Sequence, residues 1–583
     1  MNMSLEEIIK DIDESRERLA EYEIAQIIKK NYTGNQNDLN YVAETIAFDL
    51  WDGYSEKENG WGTYYGPKIA LNNTDGTVTE YPSISTINEE VIKYWLNRLS
   101  TTKNPIMRAR YSDLVWEFTK PITGNNPNHK SAQEAIDNNI IIVNEKLYES
   151  EINVIKRLER SLNLAVSLKD YSRIEKVKKT ILVTEDNISI DKKAGLWGFT
   201  YDLLYNNKKV ELTEKEIIKI IGDLEARIER LSVDKEPEPW AVEAAAIRLA
   251  SYYQKNNKPM DVLRVLVKVK EEYEKQSEKA LPMQTLAWLE KVHELFLQFN
   301  LNIEAEKIRK EIREIGPRVK ESLIPISQSM EISENQISEF VNQFVSNNIY
   351  NDIAKISFHF TPKKKKVTEQ VLELSKHYPL SYFMPTSLMD SDGRTIGVVG
   401  GIEDDMEGNL IRQITKNLDI ECFFLRRVIE KFKEHHDLNS DSLLSILMES
   451  PVFEENRRAL LHKGLEMYFN EDFISAIHIL IPQIEAAFRR LIYLSGGSVL
   501  QPSKTKHGGF KVKLFGQILS DPIIEKVFKE DSQLYFKILL NEPRGYNLRN
   551  DICHGISNDN TFNVSNADLL IHVLFCLALI KEN

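Results

Sequence analysis

Cysteine is scarce in this 583-residue chain. Its three cysteines, Cys422, Cys553 and Cys576, form no CxxC pair, which excludes the common zinc-ribbon spacings and any disulfide framework. They are expected to be buried thiols in a reducing compartment. Long apolar runs are also missing. A membrane span needs ~20 apolar residues, whereas the longest stretch, Leu569 to Ile580, is interrupted by His572 and reads as a buried helix. The first ten residues carry charges where a signal peptide has its apolar core. A cytoplasmic protein without a membrane partner is therefore expected. A G-x-x-x-x-G-K-S/T string is absent, so there is no P-loop. Basic residues are outnumbered, 75 against 88 acidic, for a net charge of −13. A surface coated for nucleic acid is excluded, and any such contact must be local.

Apolar residues make up 42% of the chain and aromatics 9%, enough for several cores in a chain too long for one. The patterning is mainly helical. Residues 3–30 read as one amphipathic helix, with Leu5, Ile8, Ile9 and Ile12 on one face. A Gly/Asn/Tyr-rich stretch over 52–82 reads as a loop with aromatic anchors; Trp51, Trp61, Tyr64 and Tyr65 suit a core better than a base-stacking platform. Residues 132–310 read as stacked helical hairpins, best seen at 241–256, 259–276 and 281–298, where Pro259 starts a helix at its first turn. Between two short apolar runs, Asp392-Gly393 signals a β-hairpin whose return strand is 396–399. The expected fold class is mainly α: a scaffold of stacked hairpins, a small β-hairpin insertion and a C-terminal helical bundle. The expected divisions are 1–131, an N-terminal helical domain with the aromatic loop; 132–325, the solenoid-like hairpins; 326–445, a mixed region with the β-hairpin; and 446–583, the bundle. In the last, helices are expected at 453–469, 472–493 (with Pro482 inside), 513–519, 531–540, 548–554 and 566–581, with a loop over 495–509.

The segment Asn547-Leu548-Arg549-Asn550-Asp551-Ile552-Cys553-His554-Gly555 is the most informative in the chain. Asn547 suits a helix N-cap and Gly555 a C-terminal stop, so the motif fits one short helix. Asn550 and His554, at i and i+4, share a face. Arg549 points about 140° away from His554, so the two do not meet by helix geometry alone.

Arg-x4-6-His with a polar residue directly after the arginine resembles the signature of HEPN nucleases. The longer form R-N-x-x-x-H-G, preceded by Gly545-Tyr546-Asn547-Leu548, is similar to an unknown-function family that includes the endoplasmic-reticulum membrane-associated RNA degradation proteins of animals. The upstream AIHILIPQIEAAFRR segment, 476–490, resembles the second element of that domain. The resemblance covers about 110 residues. It implies a bundle of four or five helices, a homodimer with the two motifs facing each other, and RNA cleavage without metal or other cofactor. In that chemistry the ribose 2′-OH attacks the adjacent phosphate and leaves a 2′,3′-cyclic phosphate. The implied catalytic residues are Arg549, neutralising the phosphorane; Asn550, orienting the imidazole or binding a phosphate oxygen; and His554, acting as general base or acid. Glu485 is an expected ion-pair partner for Arg549, and Arg489 is expected to line the same cleft.

Between Arg489 and Lys513 stand Arg489, Arg490, Lys504, Lys506, Lys511 and Lys513, with no Asp or Glu; these six are the expected grip on an RNA backbone. The lysine run 363–366 reads as a solvated face. His435 and His436 diverge by about 100° on a helix and lack complementary ligands, so no metal site is expected. Two function classes follow. In one, the chain is an endoribonuclease, a stress or antiviral defence effector, whose N-terminal scaffold binds an unidentified protein or ligand and holds the C-terminal domain quiet. In the other, the C-terminal domain is a non-catalytic module for dimerisation, docking or RNA binding. A converging, open Arg549–His554 cleft supports the first, and burial of both residues the second.

Overall fold

The computed structural model describes residues 3–53, 62–72, 77–324, 331–390, 392–503 and 508–581. The chain is mainly α-helical, with three two-stranded antiparallel sheets among the described residues. It divides into two compact units, Met1–Ile312 and Arg313–Asn583.

The first unit opens with α1 (Leu5–Glu14), α2 (Glu21–Asn31) and α3 (Leu39–Asp49). The single helix expected over 3–30 is thus two. The residues between Ile12 and Ile24 include only Leu19 and Ala20 as aliphatic side chains, so the buried stripe has nothing to continue it. Ser15 and Ala20 are extended, and the Glu23 carboxylate accepts the Ala20 N–H at 2.8 Å to start α2. The expected aromatic loop carries a hairpin, β1 (Ile69–Asn72) with β2 (Val78–Tyr81); Trp61 lies outside the described residues.

Then come α4 (Glu89–Thr101), α5 (Pro105–Thr123), α6 (His129–Asn144), α7 (Glu151–Leu168) and α8 (Tyr171–Ile188). α9 (Glu214–Ser232), α10 (Pro239–Lys255), α11 (Pro259–Ser277), α12 (Pro282–Gln298) and α13 (Asn302–Ser322) follow. Proline occupies the first position of α10, α11 and α12, where its missing N–H costs no helical bond. Ala241, Ala245, Ala246 and Ala250 of α10 are buried in one core with Val265, Leu266 and Val269 of α11, small side chains that let the two helices pack closely. The expected division at 131/132 falls inside α6, and that at 445/446 inside the helix Ser440–Leu447.

The second unit contains α14 (Glu334–Asn342), α15 (Ile349–His359), α16 (Lys364–His377) and α17 (Pro379–Phe383). The hairpin of β3 (Thr386–Met389) and β4 (Thr395–Val399) comes next. Its turn is built as the Asp-Gly signal requires: Asp390 Oδ1 accepts the Asp392 and Arg394 N–H groups at 2.9 Å, and Gly393 takes φ 77°. After it come α18 (Met406–His435), α19 (Ser440–Leu447), α20 (Arg458–Phe469) and α21 (Phe473–Leu494), which runs through Pro482. The expected loop after α21 includes strand β5 (Leu500–Pro502), paired with β6 (Phe510–Val512). α22 (Phe515–Leu519), α23 (Pro522–Leu540), α24 (Leu548–Cys553) and α25 (Val564–Ala578) complete the chain.

One hydrophobic core runs from Val341 to Ala578, so residues 326–445 and 446–583 fold around the same interior. α25 is buried along its length and packs against α15, α18 and α21. Among the described residues no helix is long and apolar enough to cross a membrane.

Candidate functional site

α24 is six residues long and is held at both ends by left-handed backbone: Asn547 has φ 50° and Gly555 φ 67°. Asn547 stands at the N-cap position without capping. Its amide instead donates to Asp551 Oδ1 at 2.6 Å, and its Oδ1 accepts from Asn550 Nδ2 at 2.9 Å. Asn550 also donates to the Asn541 carbonyl at 3.3 Å, tying α24 to the end of α23. These side-chain bonds fix a helix too short to hold itself.

Arg549 reaches away from His554 toward α21. Its Nε donates to Glu485 Oε2 at 2.8 Å and its Nη1 to Asn550 Oδ1 at 3.2 Å, while the guanidinium lies 5.7 Å from the Phe515 ring centroid. Glu485 is shared. Arg489, one turn further along α21, donates to its other oxygen at 2.5 Å and to the Lys513 carbonyl at 2.9 Å. Two guanidiniums, each about one-fifth exposed, thus flank one carboxylate. The local charge stays positive, and the pair is oriented by bonds to opposite oxygens.

His554 is exposed, and its ring makes no hydrogen bond among the described residues. Its backbone N–H donates to the Asn550 carbonyl at 2.9 Å, which places it one turn past Asn550. Burial raises the Asp551 carboxyl above the usual carboxylate range, with the Asn547 amide and His554 opposing the shift. Cys553 is exposed too, whereas Cys422 and Cys576 are buried; the expectation of three buried thiols fails because α24 lies at the surface.

The basic residues are dispersed by their partners. Lys513 pairs with Asp521 at 3.2 Å, and Arg490 lies 3.7 Å from Glu454. Lys511 is exposed on β6 between the exposed Phe510 and Val512. Lys504 and Lys506 lie outside the described residues. Of the paired histidines, His436 Nε2 is 2.9 Å from the buried Asp352, and His435 bonds the Ser346 carbonyl at 3.0 Å.

Residues 84–177 match a family described as a domain of unknown function (DUF7380). No curated protein and no solved structure matches the chain. The matched segment runs into α8 and lies wholly in the first unit, apart in sequence from α24. Charged residues within it form a largely buried cluster, joined by two tyrosines from outside the match, that sequence patterning does not reveal. Arg160 holds Asp113 at 2.6 Å and Glu117 at 2.7 Å and lies over the Tyr64 ring, while the Tyr65 hydroxyl donates to Asp113 at 2.7 Å. Arg160 stands 47 and 43 residues after the two carboxylates it holds, so no local spacing could have signalled the pairing.

A second group missed from sequence lies on α25. Asp568 is fully buried; the Tyr468 hydroxyl donates to it at 2.5 Å and Arg426 Nη1 lies at 3.4 Å, but Oδ2 has no partner among the described residues. Burial, partly offset by those two groups, pushes its carboxyl up to about 6. One turn later the buried His572 bonds the Tyr535 hydroxyl at 2.9 Å, and burial holds its imidazole down at about 4.

Proposed function

We propose that the second unit is a HEPN-like, metal-independent endoribonuclease, acting as a homodimer in the cytoplasm. The observation that carries this reading is the contrast within α24. Arg549 is fixed by Glu485, while His554, one turn beyond Asn550, presents an unengaged imidazole to solvent. In the reaction His554 takes the proton of the ribose 2′-OH. The 2′-oxygen bonds to phosphorus, the P–O5′ bond breaks, and the 5′-oxygen leaves with a proton taken from water, the His554 imidazolium returning its own to solvent, giving a 2′,3′-cyclic phosphate and a 5′-OH. Arg549 keeps its Nη2 free for the phosphorane oxygens, among the described residues, and a permanently charged planar donor suits that charge. Lys511, with Phe510 beside it, offers a cation and a ring to a single strand. A role in stress or antiviral defence, with the first unit as the regulator, rests on analogy of architecture.

The test is incubation of the full chain and His554→Ala with labelled tRNA and mixed single-stranded RNA in EDTA. Wild-type cleavage ending in cyclic phosphates is expected, with the variant slower by about 10²–10⁴-fold at an unchanged melting temperature. Loss of cleavage in EDTA, or equal rates for the two proteins, would sink the mechanism.

The shared carboxylate favours a second reading, in which α24 is a structural clasp of a docking or RNA-binding module. On that reading neither protein cleaves RNA, and Arg549→Ala lowers the melting temperature without altering any RNA product.

A further inference from the structure

α21, α23 and α25 leave a cavity of about 870 Å³ in the second unit, within the range of small-molecule sites. Its walls are aliphatic and aromatic: Leu491 and Leu494 at the end of α21, Val527 and Phe528 in α23, Leu579 and Ile580 just past α25. Ser357, Thr361, Ser495 and Ser532 add hydroxyls. Its charges are of one sign. Lys529 and Lys581 line it, and among the described residues no Asp or Glu does, although acidic residues outnumber basic ones in the chain. Lys581 is 3.3 Å from Glu449, outside the lining. Lys529 has no ion-pair partner among the described residues.

Lys529 also breaks α23. Its φ of 65° and ψ of 169° lie in a region used almost only by glycine, at a cost of about 1–3 kcal/mol for a residue with a side chain. Strain retained at a cavity wall, where glycine would relieve it, points to the lysine side chain as the useful part. The hollow thus combines apolar walls, an unpaired ammonium at a strained bend, and no carboxylate to repel an anion. A cationic ligand would find no counter-charge here, and a polyphosphate would face mostly hydrocarbon.

We infer that this cavity binds a linear aliphatic carboxylate, its tail along the walls from α21, α23 and α25 and its head group on Lys529. Burial pushes the Cys576 thiol in the wall up to about 12, so that group stays neutral and the binding is non-covalent.

The test is calorimetric titration and thermal shift of the full chain with sodium dodecanoate below its micellar range, and with 1-dodecanol as the uncharged counterpart. Dodecanoate is expected to bind saturably, one per chain, and to raise the melting temperature. Dodecanol should bind about tenfold more weakly. Lys529→Gly should melt at or above the wild-type temperature, because glycine takes this backbone without strain, yet bind dodecanoate about tenfold more weakly. Leu494→Trp, which fills the hollow, should also weaken binding. Equal binding of dodecanoate and dodecanol overturns the inference, as does wild-type affinity in both variants. If Lys529→Gly fails to fold, Leu494→Trp decides, and unchanged binding there overturns the inference too.

Discussion

At the scale of single residues, Glu485 is the pivot of the candidate site, because one carboxylate holds Arg489 and Arg549 together. Glu485→Gln leaves two guanidiniums facing each other across a neutral amide. The pair is partly exposed, so the expected loss is about 1–2 kcal/mol rather than the larger cost of a fully buried ion pair, read as a lower urea midpoint. Asp568 makes a prediction of a different kind. Its folded-state carboxyl, raised to about 6, holds its proton across a range where the unfolded chain has released it. Its contribution to stability is therefore fully present only below the unfolded carboxyl's range and falls as the pH rises through 4 toward 6. Asp568→Asn removes that fall. Between pH 4 and 7 the variant should gain on the order of 2 kcal/mol relative to the wild type, seen in urea titrations at each pH. His572, depressed to about 4, acts with the opposite sign over an overlapping range and remains in both proteins. The position of the motif was legible in the sequence, since Arg549, Asn550 and His554 are neighbours. Glu485 was also legible as a partner for Arg549, but not its sharing: Arg489 holds it as an i,i+4 neighbour on α21, and a second guanidinium on the same carboxylate depends on how α21 and α24 pack.

At the scale of elements, local chemistry was legible wherever a side chain dictates backbone. The Asp-Gly turn gave the β3–β4 hairpin, and Pro259 marked the start of α11, whereas α10 and α12 begin at Pro239 and Pro282 rather than at the expected 241 and 281. Patterning failed where no breaker announces an ending. The α1–α2 gap contains neither glycine nor proline, nor does the Lys529 bend in α23, and the sequence reading placed a helix only over 531–540. Helix contacts set a further limit. α20 and α21 approach so closely at Gly464 that an added Cβ would stand 2.6 Å from Leu480 Cδ2. Gly464→Ala is favourable by helix propensity but overpacks this crossing. It should lower stability by about 1–3 kcal/mol, detected as a lower melting temperature, and an unchanged one would mean that Leu480 yields without cost.

At the scale of the molecule, the chain is two compact units, each with its own buried interior. The family match falls in the first and the Arg-Asn-x-x-x-His motif in the second. The mainly helical class was legible from periodicity. The merging of 326–445 with the C-terminal helices was not, because a shared core is formed by contacts far apart in sequence. Leu158 is fully buried in α7, and Leu158→Ala should cost the first unit about 2–5 kcal/mol. In scanning calorimetry this should lower the transition of that unit and leave the other in place; a uniform shift of the whole profile would mean that the two melt as one.

The three thiols lie in unlike surroundings, two in the interior and one, Cys553, beside His554 at the surface. The native chain is therefore already suited to site-selective labelling. A maleimide probe enters at Cys553 alone while the fold holds, so a fluorophore there reports on events at the motif without any engineered cysteine. A nitroxide at the same atom would make the spacing between the two copies of the proposed homodimer a directly measurable length.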